Sequence, residues 1–145
     1  MPTRQQLEAA AEARQAFGQL QGNFWGGRFV LNGITLIFER KGGFTFVIAL
    51  YSSIDAQGLW WYGLQERHWS KWTEGSYLAF LMKDADGVSV VVLDPIESTR
   101  LLDMTEPSAD RNKKIHIRRP ANGGKIYVVE WPDFRLADRL QRLPM

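Results

Sequence analysis

The sequence predicts an α+β fold for one domain over residues 1–145, in which a mixed or mostly antiparallel sheet is flanked by N-terminal, middle and C-terminal helices. Three observations predict this class: a helical apolar period at the start of the chain, a series of six short apolar runs between turns, and a well-marked helix start after the sixth run. A strongly bent sheet or half barrel is the alternative arrangement of the same elements.

The first helix is predicted over residues 4–20, because apolar side chains recur there at helical spacing. These side chains are Leu7, Ala10, Ala11, Phe17 and Leu20. Arg14 interrupts the apolar face. Gly18 and Gly22 are expected to end the helix, since glycine is a poor helix former and a common helix terminator.

The six apolar runs that follow are predicted to be β-strands. They cover residues 28–31, 34–40, 44–51, 59–65, 76–83 and 88–93. Asn32 and Gly33 are typical of a tight hairpin turn, because both central positions of such a turn favour residues that tolerate positive φ. The run 44–51 is apolar on both sides of a strand, which predicts a central strand covered on both faces.

The second half of the chain begins with a helix and ends with one. Asp94 as N-cap, Pro95 at the first helical position and Glu97 at the third form a capping box for a helix that ends near Met104. Two antiparallel strands are predicted over residues 113–119 and 125–131, on either side of a turn at 120–124. A last helix is predicted over residues 133–143. Its inward side chains would be Phe134, Leu136, Ala137, Leu140 and Leu143.

The composition argues against several classes of protein. The chain has no cysteine, which excludes disulfides, thiol nucleophiles and cysteine-bound metals, and fits a reducing, cytoplasmic location. Its start is polar and no apolar run approaches about 18 residues, so neither secretion nor a membrane span is expected. The glycine pairs lack the GxGxxG and GxxxxGK patterns, and no serine lies in a GxSxG context. We therefore expect no cofactor and no nucleophilic catalytic residue.

Residues 33–53 (GITLIFERKGGFTFVIALYSS) read as a strand, a tight turn and an apolar strand, and the WWYGL and SYLAFL strands and a helix follow. In their pattern of hydrophobicity and the order of their predicted elements, residues 5–105 resemble the PD-(D/E)xK, or restriction-endonuclease-like, superfamily. The resemblance implies a catalytic aspartate near Thr35 and an acid-x-lysine pair near Ala49 and Tyr51. Those side chains cannot bind Mg²⁺, which requires oxygen ligands. The resemblance therefore implies a nuclease-like scaffold without a complete catalytic or metal-binding set.

Two other groups of carboxylates leave a metal-dependent nuclease open as an alternative. A shifted register would use Glu39 and Lys41, with Glu8 or Glu12 of the first helix as a second ligand. The other group is Asp55, Glu66 and His68. The leading interpretation is nevertheless a chain that is not an enzyme.

Residues 111–125 hold six lysines and arginines and no carboxylate, although the net charge of the whole chain is only +2. In the predicted strand, Lys114, His116 and Arg118 would lie on one face and two isoleucines on the other. Because lysine and arginine bind phosphates, the segment predicts a nucleic-acid-binding surface. Its residues would be Arg111, Lys113, Lys114, His116, Arg118, Arg119 and Lys125. The alternative is a solvated face that prevents aggregation at the sheet edge. Three arginines of the predicted last helix would extend the surface or form an ordinary exposed helix face: Arg135, Arg139 and Arg142.

Residues 59–77 hold four of the six tryptophans and one of the two histidines. Strand alternation puts Trp60 and Tyr62 on one face and Trp61 on the other, and we assign Trp61 to the core. Exposed aromatic rings stack on nucleic-acid bases. The predicted base-stacking residues are Trp60, Tyr62, His68, Trp69 and Trp72. The alternative is a hydrophobic plug between sheet and helix.

Together these features predict a nucleic-acid-binding module, with DNA favoured over RNA. The resemblance adds a role as a non-catalytic specificity domain, or modified-base reader, of a restriction-modification or defence system. A protein-interaction or small-ligand-binding domain is the first alternative, in which the tryptophans contact a protein partner or a second copy of the chain. A Mg²⁺-dependent nuclease is the second. No membrane partner is expected.

Overall fold

The computed structural model describes residues 2–25 and 28–145, without the side chains of residues 23–25. Its helices are α1 (Arg4–Trp25), α2 (Glu66–Trp69) and α3 (Pro95–Met104), with a 3₁₀ turn at Ala137–Arg139. The first five strands are β1 (Arg28–Asn32), β2 (Thr35–Arg40), β3 (Gly43–Ser53), β4 (Leu59–Leu64) and β5 (Tyr77–Asp84). The remaining strands are β6 (Gly87–Leu93), β7 (Lys113–Arg118), β8 (Tyr127–Val128) and β9 (Gln141–Arg142).

The strands form two sheets. A six-stranded sheet has the order β1-β2-β3-β5-β6-β9, and a three-stranded sheet has the order β4-β7-β8. Strands β3 and β5 are parallel because the chain leaves the larger sheet after β3, forms β4 and α2, and returns along β5. The other neighbouring strands pair antiparallel. The predicted α+β class with a mixed sheet is therefore confirmed.

Strand β3 lies inside the six-stranded sheet and is buried on both faces. Val47 and Ala49 face the core that α1 covers, whereas Ile48 and Leu50 face the core that α3 and the three-stranded sheet cover. The prediction of a central strand covered on both sides is confirmed for residues 47–50, whereas Phe44 and Phe46 at the start of the strand are exposed. Each large apolar side chain that is fully buried contributes about 1.5 to 3 kcal/mol to folding. The side chains of β3 therefore stabilise both cores.

Helix α1 continues beyond both glycines that were expected to end it, so that prediction is wrong. The ring of Phe29, at the start of β1, lies directly against the backbone at Gly18, where a Cβ would be 2.5 Å from a ring carbon. Phe29 also stacks on Phe38, with ring centroids 5.6 Å apart. The absence of a side chain at Gly18 thus allows the Phe29 ring of β1 to pack closely on the helix backbone.

The hairpin between β1 and β2 forms as predicted, but its turn is shifted by one residue. Asn32 pairs with Thr35 as part of the sheet, and Gly33 and Ile34 form the turn. Gly33 has a φ of 62°, as in hairpin turns that need positive φ only at the first central position.

The start of α3 matches the predicted capping box. The Asp94 carboxylate accepts a hydrogen bond from the Glu97 amide at 2.8 Å, and the Glu97 carboxylate accepts one from the Asp94 amide at 3.0 Å. Pro95 occupies the first turn. The helix ends at Met104, so both ends were predicted correctly.

The predicted helix over residues 133–143 is wrong. Phe134 and Leu136 enter the core below α3, whereas Leu143 enters the core below α1, on the other side of the larger sheet. The chain reaches both sides by turning around the sheet edge, where β9 pairs with β6. The predicted strand over residues 125–131 is also reduced, to the two residues of β8.

A buried carboxylate, Asp84, joins the two sheets at the end of β5. Its side chain is only 6% exposed and lies 2.7 Å from the Arg119 guanidinium and 3.4 Å from that of Arg142. Burial alone would raise the pKa of Asp84, but hydrogen bonds from Arg119, the Asp86 amide and Arg142 outweigh burial and lower it to about 2. The ionised carboxylate therefore stabilises the folded state.

Replacing Gly18 by alanine tests the close packing of α1 on β1. Alanine normally stabilises a helix interior by about 1 kcal/mol relative to glycine. Here we expect Gly18→Ala to lower the free energy of unfolding by about 1 to 3 kcal/mol, because the Phe29 ring must move. Urea denaturation measures the effect. In a Phe29→Ala background the same substitution should be neutral or stabilising, and stabilisation in both backgrounds would contradict the packing.

Replacing Asp84 by asparagine tests its ion pairs with Arg119, which follows β7 of the smaller sheet, and with Arg142, in β9 of the larger sheet. At pH 7 we expect Asp84→Asn to lower the free energy of unfolding by about 1 to 3 kcal/mol, because two guanidinium groups lose their counter-ion. The folded pKa lies below the ordinary value of 3.8, so the contribution is present above that value and is lost as the pH falls toward about 2. Urea denaturation at several pH values should show wild type and variant converging between about pH 5 and 2. A difference that does not vary with pH would contradict this role.

Candidate functional site

The outer face of the three-stranded sheet has the alternation that the sequence predicts for β7. Ile115 and Ile117 are fully buried, and Lys114, His116 and Arg118 lie on the opposite face. The predicted arrangement of these side chains is therefore confirmed. Their role in binding phosphate stays a prediction.

Carboxylates from other parts of the chain pair with most of the predicted phosphate-binding cations. The ion pairs are Arg111 with Glu66, Lys114 with Asp110, Arg119 with Asp84, and Lys125 with Asp138, and the His116 imidazole is hydrogen-bonded to Glu130. Lys113 donates to the Leu102 carbonyl. Within the described part of the chain, the side chain of Arg118 makes no ion pair or hydrogen bond. This face is therefore much closer to neutral than residues 111–125 alone indicate.

The faces of β4 are the reverse of those assigned from the sequence. Trp60 and Tyr62 are 1% and 3% exposed, whereas Trp61 is 54% exposed. The Trp60 indole NH donates to the Lys83 carbonyl, and the Tyr62 hydroxyl donates to the Leu81 carbonyl. These carbonyls of β5 give both side chains a partner in the core, so neither ring is accessible to a base.

Trp69 and Trp72 are half-buried and hold the segment around α2 in place. The Trp69 indole NH donates to the Arg111 carbonyl at 2.9 Å, and the Trp72 indole NH donates to the Thr99 hydroxyl at 3.1 Å. Both rings pack against the core below α3. The segment after β4 is thus fixed to the β7 loop on one side and to α3 on the other.

Two adjoining clefts lie where this segment faces β3. The Arg14 cleft, of about 200 Å³, is lined by α1, β3 and the start of α2, including Arg14 and Tyr51. The Trp72 cleft, of about 190 Å³, is lined by β2, β3 and the chain after α2, including Phe46, Lys71 and Trp72. Arg67 and His68 line both clefts. We refer to them together as the paired clefts.

The Arg14 cleft exists because β3 continues beyond the end of its neighbour β2. The last contact between them is a hydrogen bond from the Ala49 amide to the Ile34 carbonyl, at 2.8 Å. Beyond it, the Arg14 Nε donates to the Ala49 carbonyl at 2.8 Å. A side chain of α1 thus occupies the place where another strand would pair, and its guanidinium lines the cleft.

The paired clefts are cationic. Their lining, within the described residues, includes Arg14, Arg67, His68 and Lys71 and no carboxylate. Burial lowers the pKa of the Arg14 guanidinium, and burial followed by the charge of Arg67 lowers the pKa of His68. The four side chains make no ion pair within the part of the chain that the structure describes.

Sequence reasoning predicted His68 and Trp72 as binding residues of this site, but not Arg14, Arg67 or Lys71. Arg14 gave a signal, because it interrupts the apolar face of the first helix. Arg14 binds the edge of β3 beyond the end of β2. That edge exists because β3 is longer than β2, and the sequence pattern did not predict this difference in length. Arg67 and Lys71 are interleaved with the aromatic residues of the segment 59–77, which supported a binding role for the segment, but they were not predicted as binding residues themselves.

Two of the carboxylates considered for a metal-dependent nuclease have other partners. Asp55 accepts from the Trp61 indole NH, while Glu66 pairs with Arg111. Among the described residues, no three histidine, aspartate or glutamate side chains are grouped closely enough to hold a metal ion.

A further cleft of about 570 Å³ lies on the outer side of α3 and shares no lining residue with the paired clefts. It is lined by Ile96 and Met104, which are both exposed. We call it the α3 cleft.

Comparisons of the chain with models of protein families, with curated protein sequences and with solved structures find no match. The resemblance to the restriction-endonuclease-like superfamily therefore stays a prediction. Over residues 2–25 and 28–145, no helix is long and apolar enough to cross a membrane.

The titration of His68 tests the electrostatics of the paired clefts. We expect its midpoint below the ordinary 6.5, because burial and the charge of Arg67 disfavour the imidazolium. Proton NMR measures it, with His68→Asn to assign the signal. Arg67→Gln should raise the midpoint. A midpoint at or above 6.5 would contradict the cationic environment.

Proposed function

We propose that the protein binds nucleic acid through the paired clefts. The observation that carries the proposal is the group of three charged side chains, Arg14, Arg67 and Lys71, with His68 between them, around clefts whose described lining contains no carboxylate. A cationic concave surface attracts a polyanion. The attraction is stronger in a cleft because its protein walls have a low dielectric constant and focus the electric field. Phosphate groups are the anions that such a surface selects most readily.

Aromatic side chains next to these cations support nucleic acid over a simple anion. Phe46 and Trp72 line the Trp72 cleft. Beyond the cleft, the same face of β3 carries Phe44, and Phe46 and Phe44 are 41% and 65% exposed. Cations along a groove together with exposed rings are the usual composition of surfaces that bind single-stranded nucleic acid.

The proposal includes a preference for DNA over RNA. This part rests on the resemblance to the restriction-endonuclease-like superfamily. A role as a non-catalytic reader of sequence, or of a modified base, in a restriction or defence system belongs to the same proposal. It would place the paired clefts on a nuclease-like scaffold that binds without cleaving.

The test compares two cations that differ in location. We expect Arg67→Ala to weaken the binding of a labelled single-stranded oligonucleotide on the order of tenfold at low salt, and to lower the salt slope by about 0.7 for one lost phosphate contact. Arg118→Ala removes the same charge from the outer face of β7, where Arg118 has no ion pair in the described chain, and should change neither. Fluorescence anisotropy at several salt concentrations measures both.

Three outcomes would count against this assignment. Loss of binding in Arg118→Ala but not in Arg67→Ala would place the phosphate contacts on β7, as the sequence alone predicts. Equal, small effects in both variants would argue against either surface. A wild-type protein that binds neither DNA nor RNA oligonucleotides at low salt would overturn the function and leave protein binding, with the α3 cleft as its apolar surface, as the better proposal.

A further inference from the structure

We infer that the paired clefts hold one unpaired nucleotide of a single strand, with its phosphate in the Arg14 cleft and its base in the Trp72 cleft. This inference rests on the proposed function and specifies its ligand. It assigns a separate part of the nucleotide to each cleft.

The Arg14 cleft suits the phosphate because it lacks a counter-ion. Arg14 is half-buried and uses its Nε to donate to the Ala49 carbonyl at 2.8 Å. Its terminal nitrogens make no further hydrogen bond within the described residues. A partly buried guanidinium without a carboxylate is costly, and a bound phosphate would supply the missing charge and accept two parallel hydrogen bonds.

The Trp72 cleft suits the base because it combines aromatic rings with hydroxyl groups. The rings are those of Phe46 and Trp72, and the hydroxyls are those of Thr35, Thr73 and Ser76. A planar heterocycle stacks favourably on aromatic rings. Hydroxyl groups both donate and accept, so they fit the mixed edge of a base.

The two parts of the ligand must be joined, and the clefts adjoin in the required way. Arg67 and His68 line both of them, so the two clefts meet at this pair of residues. Neither cleft reaches the size of an ordinary ligand site, about 300 to 1,000 Å³, but the two together do. This favours one ligand with two ends over two independent ligands.

The size of the Trp72 cleft also favours an unpaired base. At about 190 Å³ it is smaller than an ordinary ligand site, and snug pockets of this kind take a single extruded base. A base within a duplex has its faces and its pairing edge occupied already, so it would need to leave the stack before entering. Single-stranded nucleic acid, or an extruded nucleotide, meets this condition.

The experiment uses the two histidines of the chain as reporters. His68 lies between the clefts, whereas His116 lies on the outer face of β7, paired with Glu130. Proton NMR follows both during titration with deoxyadenosine 5′-monophosphate, inorganic phosphate and deoxyadenosine. We expect the nucleotide to shift the His68 signal and leave that of His116 unchanged, with an affinity at least tenfold above that of either fragment.

Two variants locate the ends of the nucleotide. Arg14→Gln should weaken the nucleotide at least tenfold and leave deoxyadenosine unaffected. Lys114→Gln, on the outer face of β7, is the charge-matched control and should have no effect. Because Arg14 also contacts β3, the thermal melting of the Arg14→Gln variant is measured in parallel. Trp72→Phe, which keeps an aromatic ring, should retain most of the affinity, and Phe46→Ala should weaken the nucleotide but not inorganic phosphate.

The failure of this inference is distinguishable from the failure of the proposed function. If oligonucleotides bind with a salt dependence that needs Arg67, but the nucleotide leaves His68 unchanged or a duplex binds as tightly as a single strand, the inference is overturned and the function stands. Phosphate binding as tightly as the nucleotide would reduce the site to an anion site and also overturn the inference. If neither oligonucleotides nor the nucleotide bind, both fall.

Discussion

The burial of β3 on both faces is the constraint on which the rest of the structure depends. Its alternate side chains enter two separate cores, so α1 must cover one side and α3 with the small sheet must cover the other. The parallel pairing with β5 then requires a crossover, and that crossover contains β4 and α2. The strand also continues past Ile34, at the end of its pairing with β2. The paired clefts therefore arise from the length of a core strand.

Local signals in the sequence predicted elements whose cause is local. The capping box of α3 depends on Asp94 and Glu97 alone, and both of its hydrogen bonds form. The prediction of a last helix was wrong because the apolar residues of this segment pack into two different cores. That division depends on where the edge of the larger sheet lies, which the local sequence does not show. Alternation along β4 showed that Trp60 and Tyr62 share a face. It did not show which face is inside, since that depends on the carbonyls of β5.

Charge was the least predictable part of the candidate site. Residues 111–125 contain no carboxylate, yet Arg111 pairs with a glutamate 45 residues away and Arg119 with an aspartate 35 residues away. The fold thus neutralises a segment that is basic in sequence. Conversely, Arg14, Arg67 and Lys71 are scattered over 58 positions and become neighbours around the paired clefts. Local net charge in a sequence therefore indicates little about surface potential when the chain has nearly equal numbers of both signs.

The most direct test of the central claim, that nucleic acid binds at the paired clefts, is a map of backbone amide shifts during titration with a short single-stranded oligonucleotide. Binding at the paired clefts predicts that the largest shifts fall at residues 67–73 and around Arg14, with small shifts in β7. Shifts concentrated at residues 113–118, with none in α2, would contradict it and move the site to the outer face of the three-stranded sheet.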